Sequence, residues 1–407
     1  MAFYFYFYLM KSLFIIRHAK SNQSFLGNDF ERPLNERGLR DAPEMAKRLV
    51  NKVSTIDAFI SSPALRAKTT AEFFIKEYAV LTDEIIFITS LYHSPAENFY
   101  AVLKQLPNEL NSVALFAHNP GITYFANELI KNVSNAYYNW LYSWQKYNLI
   151  LQTDSIFADY EKYANKKYQL GESNKLEKIN ATLQRKDLIL QLAQANTEVS
   201  FFLADMQKWI GSREQYKPPL QFTKLPEINL SDSGLVNKHP VLQFLQQQIT
   251  SKEFAIKAEK AKGQPSFNLG VNTQSLDKQT HFYYGSVGIN IPLFKNGVKA
   301  RTQAAKFETE IAKKEFDKTQ HEISTIFSQQ NQLQQQSLQQ LKYYQAEGLP
   351  MAESIINAAQ HSYKAGDIGY IEYIQNIKDA FKIKTDYLAT INSYNQTIIK
   401  LNYLLNR

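Results

Sequence analysis

Gln264-Pro265-Ser266-Phe267-Asn268-Leu269-Gly270-Val271-Asn272 and, after a polar turn, Tyr283-Tyr284-Gly285-Ser286-Val287-Gly288-Ile289-Asn290-Ile291-Pro292-Leu293-Phe294 are the stretch on which the fold turns. Phe267, Leu269 and Val271 alternate with polar or tiny residues, and so do Val287, Ile289 and Ile291. A period of two predicts a β-hairpin over 265–294 with one apolar and one polar face. Each run is close to the roughly 9–11 residues with which a tilted strand crosses a bilayer. Upstream, His239-Pro240 opens a helix of about 22 residues, with proline at its first turn. Downstream, Lys295-Asn296-Gly297 stops the second strand. A helix is predicted from Val298 to Glu347, uninterrupted by proline. Some fifty residues at about 1.5 Å each make a rod of about 75 Å, more than an ordinary globular domain needs.

The remaining composition bounds the possibilities. A chain of 407 residues has room for two or three domains. The net charge of +8 comes from interleaved Lys and Glu, so a solvated surface is expected and no nucleic-acid face. With no cysteine there is no disulfide and no thiolate metal site. His239, His281, His321 and His361 have no ligand spacing on one helix, so no metal site and no cofactor are expected. No run of about 18 apolar residues exists, so no spanning helix is predicted. Residues 1–10 are an apolar run followed, not preceded, by a basic residue, Lys11, and no small-residue cleavage site appears before Arg17. They read as an extension and not an export signal.

The first third of the chain has a different grammar. Ser12–Ile16, Ile56–Ile60, Ile85–Ile88 and Ser112–Ala117 are short apolar runs separated by helical patterns, which predicts a parallel sheet. Polar clusters sit at the carboxyl ends of those strands, where an α/β sheet places its site. They are Arg17-His18-Ala19-Lys20-Ser21, Ser61-Ser62-Pro63-Ala64-Leu65-Arg66-Ala67 and His118-Asn119-Pro120-Gly121, with Glu31-Arg32-Pro33-Leu34-Asn35-Glu36-Arg37-Gly38 and Asp41-Ala42-Pro43-Glu44-Met45-Ala46 between them. Histidines beside arginines suit phosphoryl chemistry, in which fixed cations hold the negative oxygens.

These motifs, in this order over about residues 11–130, are similar to the histidine phosphatase superfamily, and most to its small SixA-type phosphohistidine phosphatases. The resemblance implies His18 as nucleophile, Arg17 and Arg66 as bidentate phosphate clamps and His118 as a further phosphate donor. Its substrate would be a phosphohistidine protein. Asp29 and Glu31 are the nearest carboxylates to a proton-donor role, which is left unassigned, and Glu31 stands where the family pattern has Asp.

The helix, hairpin and long helix around residues 238–347 resemble the TolC family of outer-membrane efflux proteins, in particular its CusC-like members. Tyr363-Lys364-Ala365-Gly366-Asp367-Ile368-Gly369-Tyr370 and Tyr394-Asn395-Gln396-Thr397 fit the same pattern. The resemblance implies an outer-membrane conduit, a homotrimer, and partners in an inner-membrane pump of the resistance-nodulation-division type, the CusC-like likeness pointing to heavy-metal efflux, and a periplasmic adaptor. Phe267, Leu269, Val271, Val287, Ile289 and Ile291 would face lipid.

The expected organisation is α+β and multi-domain. It comprises an extension (1–10), a phosphatase-like α/β sheet domain truncated at its C-terminal side (11–130), a helical repeat lacking its hairpin (131–210), a connector (211–237) and a second repeat with the hairpin (238–407). At an offset of 195, Tyr168-Gln169-Leu170-Gly171-Glu172 falls on Tyr363–Asp367, which hints at that repeat. The truncation should leave an open sheet edge and an unfilled core face. Gln329–Leu341 is low-complexity, and Leu333, Leu338 and Leu341 keep an apolar stripe suited to a coiled-coil seam, with prion-like behaviour as the other reading. The two resemblances imply different compartments, outer membrane and cytosol, as in a product fused near Ile130. An alternative is a cytoplasmic phosphatase carrying a helical partner-binding module.

Overall fold

The computed structural model describes residues 12–81, 84–107, 109–211, 216–219, 222–228, 239–276, 280–293 and 295–406. The expected extension 1–10, much of the connector 211–237 and Phe294 lie outside them. In chain order the elements are β1 (Ser12–Arg17), α1 (Glu36–Val50), β2 (Ala58–Ser61), α2 (Leu65–Glu77), β3 (Ile85–Phe87), α3 (Ala96–Lys104), β4 (Ser112–Ala117), α4 (Gly121–Gln169) and α5 (Lys175–Ile210). There follow α6 (Pro240–Ala261), β5 (Ser266–Leu276), β6 (Thr280–Asn290), α7 (Asn296–Tyr343), α8 (Leu349–Ala365) and α9 (Tyr370–Leu405). They form two compact units, Met1–Val236 with Ile326–Arg407, and Asn237–Thr325.

In the first unit β1 to β4 form a parallel sheet in the order β1-β4-β2-β3. Their apolar runs are buried because helices cover both faces. Ala46, Leu49, Phe74 and Ile75 of α1 and α2 pack on Phe14, Phe59 and Phe116. On the other face Ile60 and Leu115 meet Phe99 of α3 and Ile122 and Phe125 of α4. The sheet does end at β1, which pairs only with β4 among the described strands. The expected unfilled core face, however, is covered, since the first turns of α4 lie on it.

α4 begins as the helix that closes the sheet and then runs on for 49 residues without a break, through Ile130. Nothing between Gly121 and Gln169 breaks a helix, for the segment contains no proline and no further glycine. Its apolar residues change partners along the way. Ile122 and Phe125 belong to the sheet core, whereas Ala136, Trp140 and Leu141 pack with Met206 of α5. Phe157, Tyr160 and Ala164 join Ala181 and Leu188 of α5, Ile356 and Tyr363 of α8, and Ile377 and Phe381 of α9. The end of α9 returns to the start of α4: Lys131 lies 4.3 Å over the Tyr403 ring, and Asn127 donates to Asn406.

α4–α5 and α8–α9 are antiparallel hairpins. Gly171 and Gly366 both take left-handed backbone at their turns, φ 72° and 86°, a conformation that costs glycine little. The helix predicted to end at Glu347 instead continues. Tyr344–Gly348 form a π turn leading into α8, whose first turn contains Pro350. A proline there lacks the N–H that an unbroken α-helix would require, and the wider turn accommodates it. The stripe predicted through Leu333, Leu338 and Leu341 is shifted. Leu338 and Leu341 are buried with Gln334 and Ser337, while Leu333 is 41% exposed. The spacing 334, 337, 338, 341 follows one face at 3.6 residues per turn.

In the second unit β5 and β6 pair antiparallel, with Phe267 opposite Ile289 and Leu269 opposite Val287. Opposed residues share a face, so the apolar side chains predicted to be coplanar are so. They are exposed: Leu269 is 83% and Val271 87% accessible. Lys252–Glu308 and Arg301–Glu259 ion pairs link α6 to α7.

Candidate active site

Parallel pairing of β1 with β4, Arg17 opposite Ala117, brings the residues just beyond both strands together. His18 and His118 follow those strands, and their ring centroids are 5.0 Å apart. Arg66 stands in the first turn of α2, directly after β2, the other neighbour of β4. Gly121 lets the segment after His118 pass close to the loop before α3, for a Cβ there would sit 2.0 Å from the Ser94 carbonyl oxygen.

The protonation of His18 follows from its contacts. Nδ1 lies 2.7 Å from the Ala19 carbonyl oxygen, which can only accept. Nδ1 therefore carries the hydrogen, and in the neutral ring Nε2 keeps its lone pair. Burial pulls the His18 pKa down to about 4, against the Ala19 bond and with the charges of Arg66, Arg17 and Arg32. At neutral pH the ring is uncharged and nucleophilic. Burial likewise lowers His118 to about 2, with Arg66 and His18 adding to it. His118 Nε2 lies 2.9 Å from Ser62 Oγ, while its Nδ1 is buried with no hydrogen-bond partner.

Arg66 is 1% exposed and is held by Asp29. Nη1 donates to the Asp29 carbonyl at 2.6 Å and Nη2 to Asp29 Oδ2 at 2.9 Å. The same carboxylate pairs with Arg32 at 2.9 Å, accepts from the Tyr92 hydroxyl at 2.7 Å and meets His93 Nε2 at 3.2 Å. Burial by itself would raise the Asp29 pKa. The Tyr92 bond, Arg66, the His93 bond and Arg32 outweigh it and hold the carboxyl well below the usual carboxylate range. Tyr92 is pushed up to about 12 by burial and by its bond to Asp29, so it stays a donor. The Nε atoms of Arg66 and Arg32 are buried without partners. Buried donors without acceptors are costly unless a ligand completes them.

Of the residues singled out in the sequence, the fold gathers His18, His118 and Arg66, with Arg17 exposed at the end of β1. Arg32, Ser62, Tyr92 and His93 were missed as site residues. Arg32 and Ser62 lie in motifs quoted above, but Tyr92-His93 sits in an aperiodic loop with no local signal. The six hairpin residues lie together on one side of β5 and β6 and just beyond, all exposed. Among the described residues no group of three or more His, Asp or Glu could hold a metal ion, and no helix is long and apolar enough to cross a membrane.

Residues 233–407 match the family described as outer membrane efflux protein, and residues 13–85 match branch 1 of the histidine phosphatase superfamily. No curated protein matches the chain. Among solved structures, the transmembrane channel CusC aligns at 18% identity with a TM-score of 0.64, over 70% of this chain and 69% of that one. The CmeC outer membrane channel of Campylobacter jejuni aligns at 16% identity with a TM-score of 0.61, over 70% of this chain and 64% of that one. The chain thus spans about two thirds of the length of these channels. A structure assigned as the phosphohistidine phosphatase SixA of Agrobacterium tumefaciens is 25% identical, over 30% of this chain and 77% of that one, with a TM-score of 0.28. This chain therefore joins two pieces, a first part that resembles branch 1 of the histidine phosphatase superfamily and a remainder that resembles the outer membrane efflux proteins, with a TolC-like channel fold.

Proposed function

We propose that the chain is an outer-membrane efflux conduit of the kind served by a resistance-nodulation-division pump and a periplasmic adaptor, carrying a phosphohistidine phosphatase at its first part. The observation that supports the conduit is the outward apolar face of β5 and β6. Water does not reward such a face, and a lipid phase does. Leu176, Ile179, Leu183 and Leu190 of α5 form a second exposed stripe at helical spacing, which suits burial against other copies in a homotrimer. With one hairpin per copy where a two-repeat channel has two, closure of an ordinary barrel is not expected.

The phosphatase rests on the unpartnered buried nitrogens, His118 Nδ1 and Arg66 Nε, beside a neutral His18. In this chemistry His18 Nε2 attacks the phosphorus of a phosphohistidine. Arg17, Arg66 and His118 take the phosphoryl oxygens, and water then hydrolyses the phosphorylated His18. Arg32 adds charge at the same place. The chemistry calls for no cofactor.

Two measurements test these roles. Membrane fractionation should recover the chain with the outer membrane, and a wholly soluble pool would favour a cytoplasmic phosphatase with a helical partner-binding module. Phosphohistidine hydrolysis should fall by roughly 10⁴-fold in His18→Ala. Equal rates for both forms would remove the enzyme.

A further inference from the structure

Transfer to His18 breaks the bond from phosphorus to its leaving atom, and the departing electron pair needs a proton. The nearby carboxylates do not supply it. Asp29 is held ionised by four partners, and Glu31 is exposed to solvent. Tyr92 keeps its proton for Asp29. Burial keeps His18 and His118 neutral, without a proton to spare. His93 stands apart from all of these. Its ring stacks on that of His118 at 5.7 Å and 28°, one ring further out from His18. Its side chain is 46% exposed, so an incoming substrate can reach it. Its Nε2 is anchored 3.2 Å from Asp29 Oδ2. Its backbone is left-handed, φ 47°, a region that few residues other than glycine enter, though histidine is among those enriched there.

We propose that His93 is the general acid of the site, oriented by Asp29, an assignment that rests on the phosphatase reading. A carboxylate behind an imidazole fixes its orientation. With Nε2–H directed at Asp29, Nδ1–H gives its proton to the leaving oxygen or nitrogen as the bond to phosphorus breaks. His18 Nε2 is then bonded to phosphorus, and His93 is neutral. In the second step His93 takes a proton from the water that attacks the phosphorylated His18. The P–N bond breaks with its electrons returning to Nε2, inorganic phosphate leaves and both rings are restored. One proton is given and one recovered.

The leaving group provides the test. p-Nitrophenolate departs without a proton, whereas phenolate from phenyl phosphate needs one. kcat/KM should be measured for the full chain in detergent with both esters, in the parent protein and in His93→Gln and His93→Ala. The loss with phenyl phosphate should exceed that with p-nitrophenyl phosphate by about tenfold to a hundredfold, the scale of general acid catalysis. Equal losses with the two esters would mark His93 as merely structural, and no loss with either would remove it from the chemistry. Both results overturn the assignment. If the parent hydrolyses neither ester nor a phosphohistidine, and His18→Ala is indistinguishable from it, the phosphatase reading itself has failed.

Discussion

The sheet of β1 to β4 and the ribbon of β5 and β6 use similar residues in opposite senses. Phe14, Ile60, Leu115 and Phe116 are buried between two helical layers, and the sheet's polar chemistry is confined to its strand ends. Phe267, Leu269, Val271 and Ile289 are exposed along an entire face. A buried parallel strand is apolar on both sides because both sides are covered, whereas the ribbon alternates, the pattern expected where one side alone would meet an apolar surrounding. In the sheet the surrounding is supplied by the chain itself. In the ribbon, on the proposed reading, it comes from outside the chain.

The contrast can be tested at single residues. Phe116 is fully buried, so Phe116→Ala should cost about 3–5 kcal/mol and lower the unfolding midpoint of the sheet domain. Leu269→Ala should shift the detergent-solubilised chain by less than about 0.5 kcal/mol, as for an exposed site. Comparable losses at the two positions would mean that the ribbon face is covered by protein. Next in size, Leu269→Arg should weaken membrane retention by about 2–4 kcal/mol if the residue faces the bilayer centre. Unchanged recovery in the membrane fraction would break the comparison.

A pH effect distinguishes the polar end of the sheet. His18 and His118 have folded pKa values of about 4 and about 2, below the ordinary 6.5 of an unfolded imidazole. Between these limits the unfolded chain binds more protons than the folded one, so stability falls with acidification. Their contribution is complete above about pH 6.5 and is lost as the pH drops toward 4. Thermal unfolding of the sheet domain at pH 7 and pH 5 should show the lower midpoint at pH 5. The reverse order would contradict the burial of the two rings.

Much of this architecture was legible because it is written locally. The runs before His18 and His118, the alternation on either side of the hairpin and the turns at Gly171 and Gly366 depend on neighbours within a few positions. Other features are not local. Leu333 looked like part of an apolar stripe, yet Gln334 and Ser337 take the buried face, because the register of a helix against its neighbours is set by the whole bundle. The composition change near Ile130 suggested a junction. There the backbone continues as one helix while the packing passes from the sheet core, at Ile122 and Phe125, to the bundle core that begins at Ala136. The site shows the same division. Arg17, His18, Arg66 and His118 were visible in motifs, whereas the junction of Asp29 with Arg32, Arg66, Tyr92 and His93 spans 64 positions and no spacing announces it.

By itself the sequence determined which segments are strands, which are rods and which residue types crowd the strand ends, since periodicity and composition act over short distances. Tertiary structure alone decided the rest. It placed the closing helix of the sheet and the first rod on one axis, set Gln334 inward, and drew a carboxylate, two arginines, a tyrosine and a histidine together. Those outcomes depend on long-range packing and on electrostatics in a partly buried pocket, where one ionised aspartate is stable only because several distant residues converge on it.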